Sequence, residues 1–390
     1  MKKVLIYYLC FDRTLGGGEY LPLRFVAELQ KKCSVTLALD WTEGFEEASK
    51  KLGIPIDMTK VKLVKVLPKG FHSALNRPYL SYYRFRCLRK LARDTDVCIS
   101  LAQIMDFGKP AHHFLMSIDL GDKGFDDYVN GIAPSGKSII RRCASFVSDY
   151  MLRPLLGMRT KRQIMLDDRE RIYPNSNYVA ELIHSYYGKF NGEVFFPPTL
   201  FEIDRQKSKI AREPLRVVYI GRVVPSKRIE DIIEIVGKAR CISGKDLQLH
   251  IAGPLKDPSF HAKLSQQEKE NGWLHLVGEK YGDEKQDFLL SASFAIHAMR
   301  IEAFGISITE YLKAGLVTLV PNEGGTCEVV DNPSLTYKSN DEASEILARL
   351  VSDSAFFEEQ RRLCEERAAC FSRAAYEERQ KILLEKIVSG

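Results

Sequence analysis

The sequence predicts an α/β protein made of two doubly wound domains, each with a parallel sheet covered by helices. At 390 residues the chain is too long for one ordinary domain core, so two domains are expected. Short apolar runs alternate with helical segments in both halves, which is typical of parallel sheets. Between the halves, Phe195-Phe-Pro-Pro198 excludes a helix because paired prolines stiffen the backbone. We therefore predict a first domain over residues 1–200 and a second over residues 201–373.

In the first half, predicted strands alternate with predicted helices, which indicates a parallel sheet with helices on both faces. The predicted strands are Val4–Leu9, Val35–Leu39, Val97–Ser100, His113–Ile118 and a strand that begins at Arg171 and leads into a helix cap at Ser176. The predicted helices are Tyr20–Lys32, Glu43–Leu52, Tyr79–Arg93, a long basic segment over Ile139–Asp168, and Val179–Tyr187.

The second half repeats this alternation, which predicts a second parallel sheet. Its predicted strands are Val217–Ile220, Gln248–Ala252, His275–Val277, Phe294–Ala298 and Val317–Val320. Its predicted helices are Glu230–Arg240, Ser259–Asn271, Glu284–Ser291, Ile306–Ala314, Ala343–Ser352, Ser354–Cys370 and Ala374–Ile387.

The bulk composition is that of a globular protein without a membrane span, because no apolar run approaches the ~20 residues that a spanning helix needs. The start MKKVLIYYL is interpreted as a buried strand, since its apolar run is short and leads into a charged, Gly-rich loop. Nine cysteines are scattered singly, with no CxxC pair or zinc-type spacing. This pattern favours a reducing, cytoplasmic location without disulfides or a structural metal.

The net charge of +6 is unevenly distributed, because the excess of Lys and Arg lies in the first 200 residues, mainly in 60–93 and 141–171. One interpretation is peripheral attraction to anionic lipid headgroups at the inner membrane face, or to a phosphate-bearing acceptor. The other is a solvated basic face. No nucleic-acid motif is present, so a nucleic-acid partner is not expected.

Two carboxylates, Glu302 and Glu310, flank a predicted strand-to-helix turn at Phe304-Gly305. The free backbone N–H groups of a helix start can bind an anion, so Gly305 and Ile306 are candidates for phosphate binding. This arrangement suits a sugar nucleotide, with one carboxylate for sugar hydroxyls and the other for ribose hydroxyls. Each glutamate taken alone is also consistent with an ordinary solvated side chain.

Two cations, Arg222 and Lys227, follow the first strand of the second half. They can converge on one diphosphate, because Arg offers a bidentate fork and Lys a point charge. The alternative is a pair of surface charges on a loop. Ser226 is a candidate cap for a helix that begins near Arg228.

Glycines follow predicted strands at two further places, Gly16-Gly17-Gly18-Glu19 and Gly324-Gly325. Such glycines let the backbone approach a phosphate or a sugar, although a triplet such as Gly16-Gly17-Gly18 taken alone is more often a plain turn. The first string is not GxGxxG, and only Asp40 is a marginal candidate for binding ribose after the second strand. A nicotinamide cofactor is therefore disfavoured.

Together these strings resemble the retaining glycosyltransferases of family 4, which have the GT-B fold of two Rossmann-like domains facing across a cleft. The string IHAMRIEAFGISITEYLKAG is most similar to the lipid-linked-oligosaccharide mannosyltransferases and their prokaryotic relatives. The resemblance covers most of residues 4–39 and 95–330. It implies that the second domain binds the donor, that the first binds the acceptor, and that the last helix, about 374–390, crosses back onto the first domain.

The resemblance also implies roles for individual residues. Arg222 and Lys227 would hold the leaving diphosphate, and Glu302 would meet the transferred sugar. Glu310 would bind the ribose hydroxyls. The backbone groups implied along the donor are those of Gly17, Gly18, Gly305, Ile306, Gly324 and Gly325.

The string HHFLMSIDLGDKG resembles the family region in which a histidine meets the sugar. We prefer His113 to His112 for this role, and Asp119 is a second polar candidate. Leu115 stands where the family usually has a proline, so the alignment here is looser than in the second domain.

The implied activity is transfer of a hexose, with mannose favoured, from a GDP- or UDP-linked donor to a glycan or lipid-linked acceptor hydroxyl. No cofactor or metal is expected, because Arg222, Lys227 and the helix start would replace it. Two alternatives remain open. One is a sugar-nucleotide epimerase of the same fold, and the other is a catalytically silent relative that binds a glycan or a nucleotide.

Overall fold

A computed structural model describes residues 1–11, 17–67, 77–101, 103–118, 120, 125, 128–129, 153–199, 201–203, 210–255 and 257–389. The chain divides into two compact units. The first comprises Met1–Leu200 and Tyr376–Gly390, and the second comprises Phe201–Ala375. Each unit has one six-stranded parallel sheet with helices, so the predicted α/β class is confirmed. In the described part of the chain, no helix is long and apolar enough to cross a membrane.

The sheet of the first unit has the strand order β3-β2-β1-β4-β5-β6. Its strands are β1 (Lys3–Tyr8), β2 (Ser34–Leu39), β3 (Val61–Lys65), β4 (Val97–Ser100), β5 (His112–Leu115) and β6 (Arg171–Pro174). The described helices of this unit are α1 (Gly17–Leu29), α2 (Phe45–Lys51), α3 (Arg77–Ala92), α4 (Arg153–Leu155), α5 (Lys161–Met165) and α6 (Asn177–Tyr187).

The central strand β1 is buried on both faces, which explains its continuous apolar run. Alternate side chains point to opposite faces of a strand. Val4 and Ile6 therefore belong to one core cluster, together with residues of α1, whereas Leu5 and Tyr7 belong to a second cluster that includes residues of α3.

The sheet of the second unit has the strand order β12-β11-β10-β7-β8-β9. Its strands are β7 (Arg216–Ile220), β8 (Gln248–Ala252), β9 (Leu274–Gly278), β10 (Phe294–Ile296), β11 (Val317–Pro321) and β12 (Thr336–Tyr337). The helices are α7 (Ile229–Ser243), α8 (Pro258–Glu270), α9 (Gly282–Leu290), α10 (Ile306–Lys313), α11 (Gly325–Val330), α12 (Asn340–Ser352) and α13 (Ser354–Ala368).

The last helix, α14 (Arg373–Ser389), joins the core of the first unit from residue 376 onward. The Tyr376 ring lies 6.3 Å from the ring of Tyr20 and 5.8 Å from that of Phe195. Leu384 is buried in the same core cluster as β1 and α1. The apolar positions of this helix therefore help to close the core of the first sheet.

Most predicted strands and helices are present, with their ends shifted by a few residues, but three elements were not predicted: β3, α11 and β12. Over residues 153–168 the predicted long, mostly helical segment consists of two short helices, α4 and α5, with a break between them. Gly157 has a positive φ of 66° there, and Thr160 caps the new short helix α5 through the backbone N–H of Gln163. Residues 139–152 of that prediction lie outside the described residues.

Candidate active site

Opposite charges meet at the carboxyl edge of the second sheet. Lys227 ends a short 3₁₀ turn (Pro225–Lys227) that follows β7, and Glu302 follows the neighbouring strand β10. The Lys227 ammonium bonds Oε2 of Glu302. Both side chains are partly exposed, 14% and 20% respectively. The carboxyl edge of a parallel sheet is where ligands bind in doubly wound folds, so this pair is accessible at the expected edge.

Glu302 also lies close to a buried histidine. His297 directly follows β10, and its Nε2 is 3.7 Å from Oε2 of Glu302. Burial lowers the pKa of His297 to about 4, an effect that the Glu302 carboxylate opposes and the Lys227 ammonium reinforces. The imidazole is therefore neutral at physiological pH.

The second carboxylate, Glu310, lies one turn into α10 and is also paired with a lysine. The Nζ of Lys285 in α9 is 2.7 Å from Oε1 of Glu310. The same Nζ lies 4.9 Å from the centre of the Phe201 ring. The Glu310 side chain is only 9% exposed, and Lys285 bonds one of its two carboxylate oxygens.

The turn that starts α10 requires a glycine. Gly305 precedes the helix with a φ of 89°, and an added Cβ would lie 2.8 Å from Cγ2 of Thr326. The Tyr311 hydroxyl accepts from the N–H of Ile220 at 2.8 Å, which fixes α10 at the end of β7. The first-turn N–H groups of α10, including that of Ile306, therefore start at the same edge as Lys227 and Glu302.

Gly324 and Gly325 allow close packing against the backbone of the segment that carries Glu302. An added Cβ on Gly325 would overlap the carbonyl oxygen of Ala303, and one on Gly324 would overlap that of Arg300. The N–H of Gly325 donates to the carbonyl of Glu302 at 2.8 Å. The pair thus supports the turn that carries Glu302, and its contact with a donor stays a prediction.

Arg222 is exposed on the connection after β7, and its carbonyl accepts from the Tyr219 hydroxyl at 3.2 Å. Its guanidinium has no ion-pair partner among the described residues.

The predicted Ser226 cap is wrong, because α7 begins at Ile229 with the left-handed residue Arg228 in the cap position and no side-chain cap bond. Arg228 instead pairs with Asp231.

In the first unit, Gly17 and Gly18 form the start of α1 after β1. Gly16 and the second polar candidate, Asp119, lie outside the described residues.

Asp40, the marginal ribose candidate, follows β2 and is completely buried. It accepts from the Tyr7 hydroxyl at 3.0 Å and from Nε of Arg84 at 2.8 Å, which engages both of its oxygens.

The structure does not support the predicted ligand role of His113. This residue is completely buried and both ring nitrogens are engaged, Nδ1 by the N–H of Met105 at 3.4 Å and Nε2 by Glu170 at 3.0 Å. Because the side chain is not exposed and both ring nitrogens are already hydrogen-bonded, His113 cannot bind a sugar in this conformation. The neighbouring His112 is half-buried, lies 3.0 Å from the Tyr173 hydroxyl through Nδ1, and has a pKa lowered to about 4 by burial.

Sequence reasoning missed Lys285 and the contact of His297 with Glu302. Lys285 gave no signal, because one lysine in a predicted helix is an ordinary surface residue. His297 was predicted only as part of a strand, although a histidine in an apolar strand beside an acidic motif was the available clue.

Comparison with known proteins assigns the second unit to a family. Residues 201–369 match the family described as "Glycosyl transferases group 1". The phosphatidylinositol N-acetylglucosaminyltransferase GPI3 subunit of Saccharomyces cerevisiae is 26% identical over 146 residues, which are 37% of this chain and 32% of that protein. The human GDP-Man:Man(3)GlcNAc(2)-PP-Dol alpha-1,2-mannosyltransferase is 25% identical over 202 residues, 46% of this chain and 41% of that protein. The matched region spans about a third of the yeast relative.

Solved structures share the fold over the whole chain. Anabaena HepE, in complex with UDP and glucose, has a TM-score of 0.64 at 13% identity, covering 100% of both chains. WaaG, a glycosyltransferase involved in lipopolysaccharide biosynthesis, has a TM-score of 0.65 at 14% identity, covering 97% of this chain and 99% of its own. The predicted GT-B fold is therefore confirmed.

Residues 201–369 thus form a domain of the glycosyl transferases group 1 family. The resemblance to glycosyltransferases that the motifs carry is confirmed, and so is the predicted enzyme class at the level of this domain.

Proposed function

We propose that the chain is a retaining glycosyltransferase that moves a hexose from a nucleotide sugar to a hydroxyl of a glycan or lipid-linked acceptor. The observation that carries this proposal is the contact of Lys227 with Glu302 at the carboxyl edge of the second sheet. The start of α10 at Gly305 and the carboxylate of Glu310 lie on the segment that continues from Glu302. A cation, a carboxylate, a helix start and a second carboxylate are the groups that a sugar nucleotide requires.

The proposed donor contacts divide by charge. The exposed guanidinium of Arg222 and the Lys227 ammonium bind the diphosphate, and they stabilise the negative charge that develops on it as it leaves. The N–H groups of Gly305 and Ile306 bind the same phosphates. These groups supply the positive charge that a divalent cation would otherwise supply.

The two carboxylates bind hydroxyl groups. Glu302 accepts from the hydroxyls of the transferred sugar, and Glu310 accepts from the ribose hydroxyls, with Lys285 holding its other oxygen. Gly324 and Gly325 act mainly by supporting the Glu302 turn.

The proposed reaction exchanges one bond at the anomeric carbon. The bond from this carbon to the diphosphate oxygen breaks, and a bond to the acceptor oxygen forms on the same face. The departing diphosphate takes the acceptor proton, and Lys227 and Arg222 stabilise it while it does so.

The acceptor class is suggested by the names of the relatives. One acts on phosphatidylinositol and the other on a PP-Dol-linked glycan, so both names contain a lipid. We propose a lipid-linked acceptor bound by the first unit, with peripheral contact at an anionic membrane surface. The names of the two relatives specify different sugars, and HepE was solved in complex with UDP. We therefore propose two donor classes, GDP-mannose and a UDP-linked sugar. Mannose is favoured.

The first test is the thermal shift of the chain with GDP and with UDP. A ligand at about 100 times its dissociation constant adds about 2.7 kcal/mol to the unfolding free energy, which gives a measurable shift. A shift with one nucleotide alone supports the proposal and identifies the donor class. A shift with neither contradicts it.

The second test uses the sugar nucleotide of the class so identified, with and without vesicles that contain phosphatidylinositol or a polyprenyl-diphosphate glycan. Acceptor-dependent release of the nucleoside diphosphate, with the anomeric configuration retained in the product, supports transfer. Conversion of the sugar nucleotide to an isomer without an acceptor would indicate an epimerase instead.

A further inference from the structure

His297 is a buried histidine whose ring nitrogens are not used by the fold. It is 2% exposed, and in the described part of the chain neither ring nitrogen has a hydrogen-bond partner. Its backbone is fully engaged, since its N–H donates to Leu319 at 3.0 Å and its carbonyl accepts from the Tyr337 hydroxyl at 2.6 Å. Buried polar groups are normally satisfied, because leaving them unpaired costs stability. The unpaired imidazole therefore requires an explanation.

The geometry around the ring indicates its partner. Nε2 is 3.7 Å from Oε2 of Glu302, slightly beyond hydrogen-bond distance, and the same oxygen is bonded by Lys227. Glu302 thus lies between an ammonium and an imidazole. A small rotation of the Glu302 side chain would exchange one partner for the other.

The charged and titratable groups around the ring keep it neutral. Lys227 and Glu302 act on it in opposite directions, and burial gives it a pKa of about 4. Two phenols also pack nearby, but their hydroxyls are engaged elsewhere: Tyr219 with the carbonyl of Arg222, and Tyr337 with the carbonyl of His297 itself. A neutral ring has one N–H, and a carboxylate facing Nε2 favours that proton on Nε2.

We propose that His297 is a positioning residue for Glu302. When a diphosphate attracts the Lys227 ammonium, the Nε2–H of His297 donates to Oε2 of Glu302 and holds this carboxylate toward the sugar. This role rests on the proposed function, because it needs a ligand that contains both a diphosphate and a sugar.

The diphosphate and the sugar of the donor are bound by different groups. Lys227 and the start of α10 bind the diphosphate without help from His297. Glu302 binds the sugar, and only this contact depends on the imidazole. Loss of the N–H should therefore weaken binding of the sugar nucleotide relative to the free nucleoside diphosphate.

Two variants of similar size test this separation. His297→Met removes the donor, whereas His297→Gln places an amide N–H near the position of Nε2. Calorimetric titrations with UDP and UDP-glucose, and with GDP and GDP-mannose, give the ratio of the dissociation constants of sugar nucleotide and nucleotide. We expect this ratio to rise roughly tenfold or more in His297→Met, as for a lost hydrogen bond to a charged group, and to return toward the parent value in His297→Gln.

Two results would overturn the positioning role. One is an unchanged ratio in His297→Met. The other is an equal loss of nucleotide affinity in both variants, which would make His297 a purely structural residue.

A nitrogen NMR spectrum of the histidines in the parent chain, without nucleotide, tests the same role independently of ligand binding. The signal that disappears in His297→Gln should be that of a neutral ring protonated on Nε2 at pH 7. A charged ring or an Nδ1–H tautomer would overturn the positioning role while leaving the proposed function intact. If the parent bound none of the four nucleotides, that result would instead overturn the proposed function, and the positioning role with it.

Discussion

At the scale of single residues, the two glutamates of the site combine a lysine partner with low exposure, 20% for Glu302 and 9% for Glu310. Lys227 bonds Glu302, and Lys285 bonds Glu310. The sequence motif predicted both glutamates and Lys227, since they lie beside recognisable turns. It could not predict Lys285, because the contact depends on how α9 and α10 pack.

Glu310→Gln should weaken nucleotide binding by removing the charge that accepts the ribose hydroxyls, at a cost of about 1.5–3 kcal/mol. The measurement is a calorimetric cycle in which the parent and the variant bind UDP or GDP and the corresponding 2′,3′-dideoxy nucleotide. If Glu310 contacts these hydroxyls, the mutation and their removal should together cost little more than either alone.

The matched control for this cycle is Glu323→Gln. Glu323 is an exposed carboxylate that follows β11 and pairs with Arg300 at 3.0 Å. The Glu323→Gln substitution should leave the affinity for both nucleotides unchanged. Fully additive losses in the Glu310→Gln cycle would assign the ribose hydroxyls to another residue.

The environment of His113 also depends on contacts between single residues, and it explains why the predicted sugar-binding role is not supported. Its local sequence resembled a family region, but its environment is set by Glu170, 57 positions away in the sequence, and by the backbone of Met105. Sequence reasoning from one chain cannot anticipate such a distant partner. A histidine of this kind becomes structural when both ring nitrogens are satisfied inside the core.

At the scale of elements, two neighbouring strand-to-helix connections position the site together. The turn before α10 carries Glu302 and Gly305, and the turn before α11 carries Gly324 and Gly325. Their backbones approach so closely that side chains on the second pair would overlap the first turn. The glycines were visible in the sequence, but the surface that they approach was not.

Gly325→Ala should destabilise the chain, because the added Cβ would overlap the Ala303 carbonyl and shift the turn that carries Glu302. A cost of about 1–3 kcal/mol is typical of overpacking, and urea unfolding measures it. The matched control is Gly272→Ala, since an added Cβ there has no heavy atom within 4 Å. Equal stability of the two variants would mean that the two turns are not packed as described.

The elements that were predicted from sequence share one property, a clear apolar run or helical spacing. Those that were missed have weak patterns. The strand β3 contains two lysines among its five residues and lies at the edge of its sheet, and β12 has only two residues. The helix α11 begins within the Gly pair, which was interpreted as a turn.

At the scale of the whole molecule, alternating strands and helices were sufficient to predict two parallel sheets, but not the strand orders. Alternation specifies which elements exist, whereas the order depends on long-range packing. Solved structures at 13–14% identity nevertheless share the fold over nearly the whole chain. The core pattern therefore tolerates nearly complete replacement of individual residues.

The core of the first unit is completed by the end of the chain, so a core mutation in α14 should destabilise that unit. Leu384→Ala removes a side chain that is buried in the cluster of β1 and α1. We expect a loss of about 2–5 kcal/mol, measured by urea unfolding, with lower hydrogen-exchange protection of the β1 amides. Ile382→Ala is the control on the same helix, because Ile382 is 59% exposed. A similar small loss in both variants would show that α14 does not contribute to this core.

The central claim is that the second unit binds a sugar nucleotide through Lys227. The most direct measurement is a calorimetric titration of GDP and UDP into the parent, Lys227→Gln and Arg228→Gln. The two variants each lose one charge at adjacent positions, but Lys227 faces Glu302 whereas Arg228 pairs with Asp231. We expect one nucleotide to bind the parent and Arg228→Gln alike, and to bind Lys227→Gln roughly tenfold or more weakly. Equal binding by Lys227→Gln, or no binding by the parent, would contradict the claim.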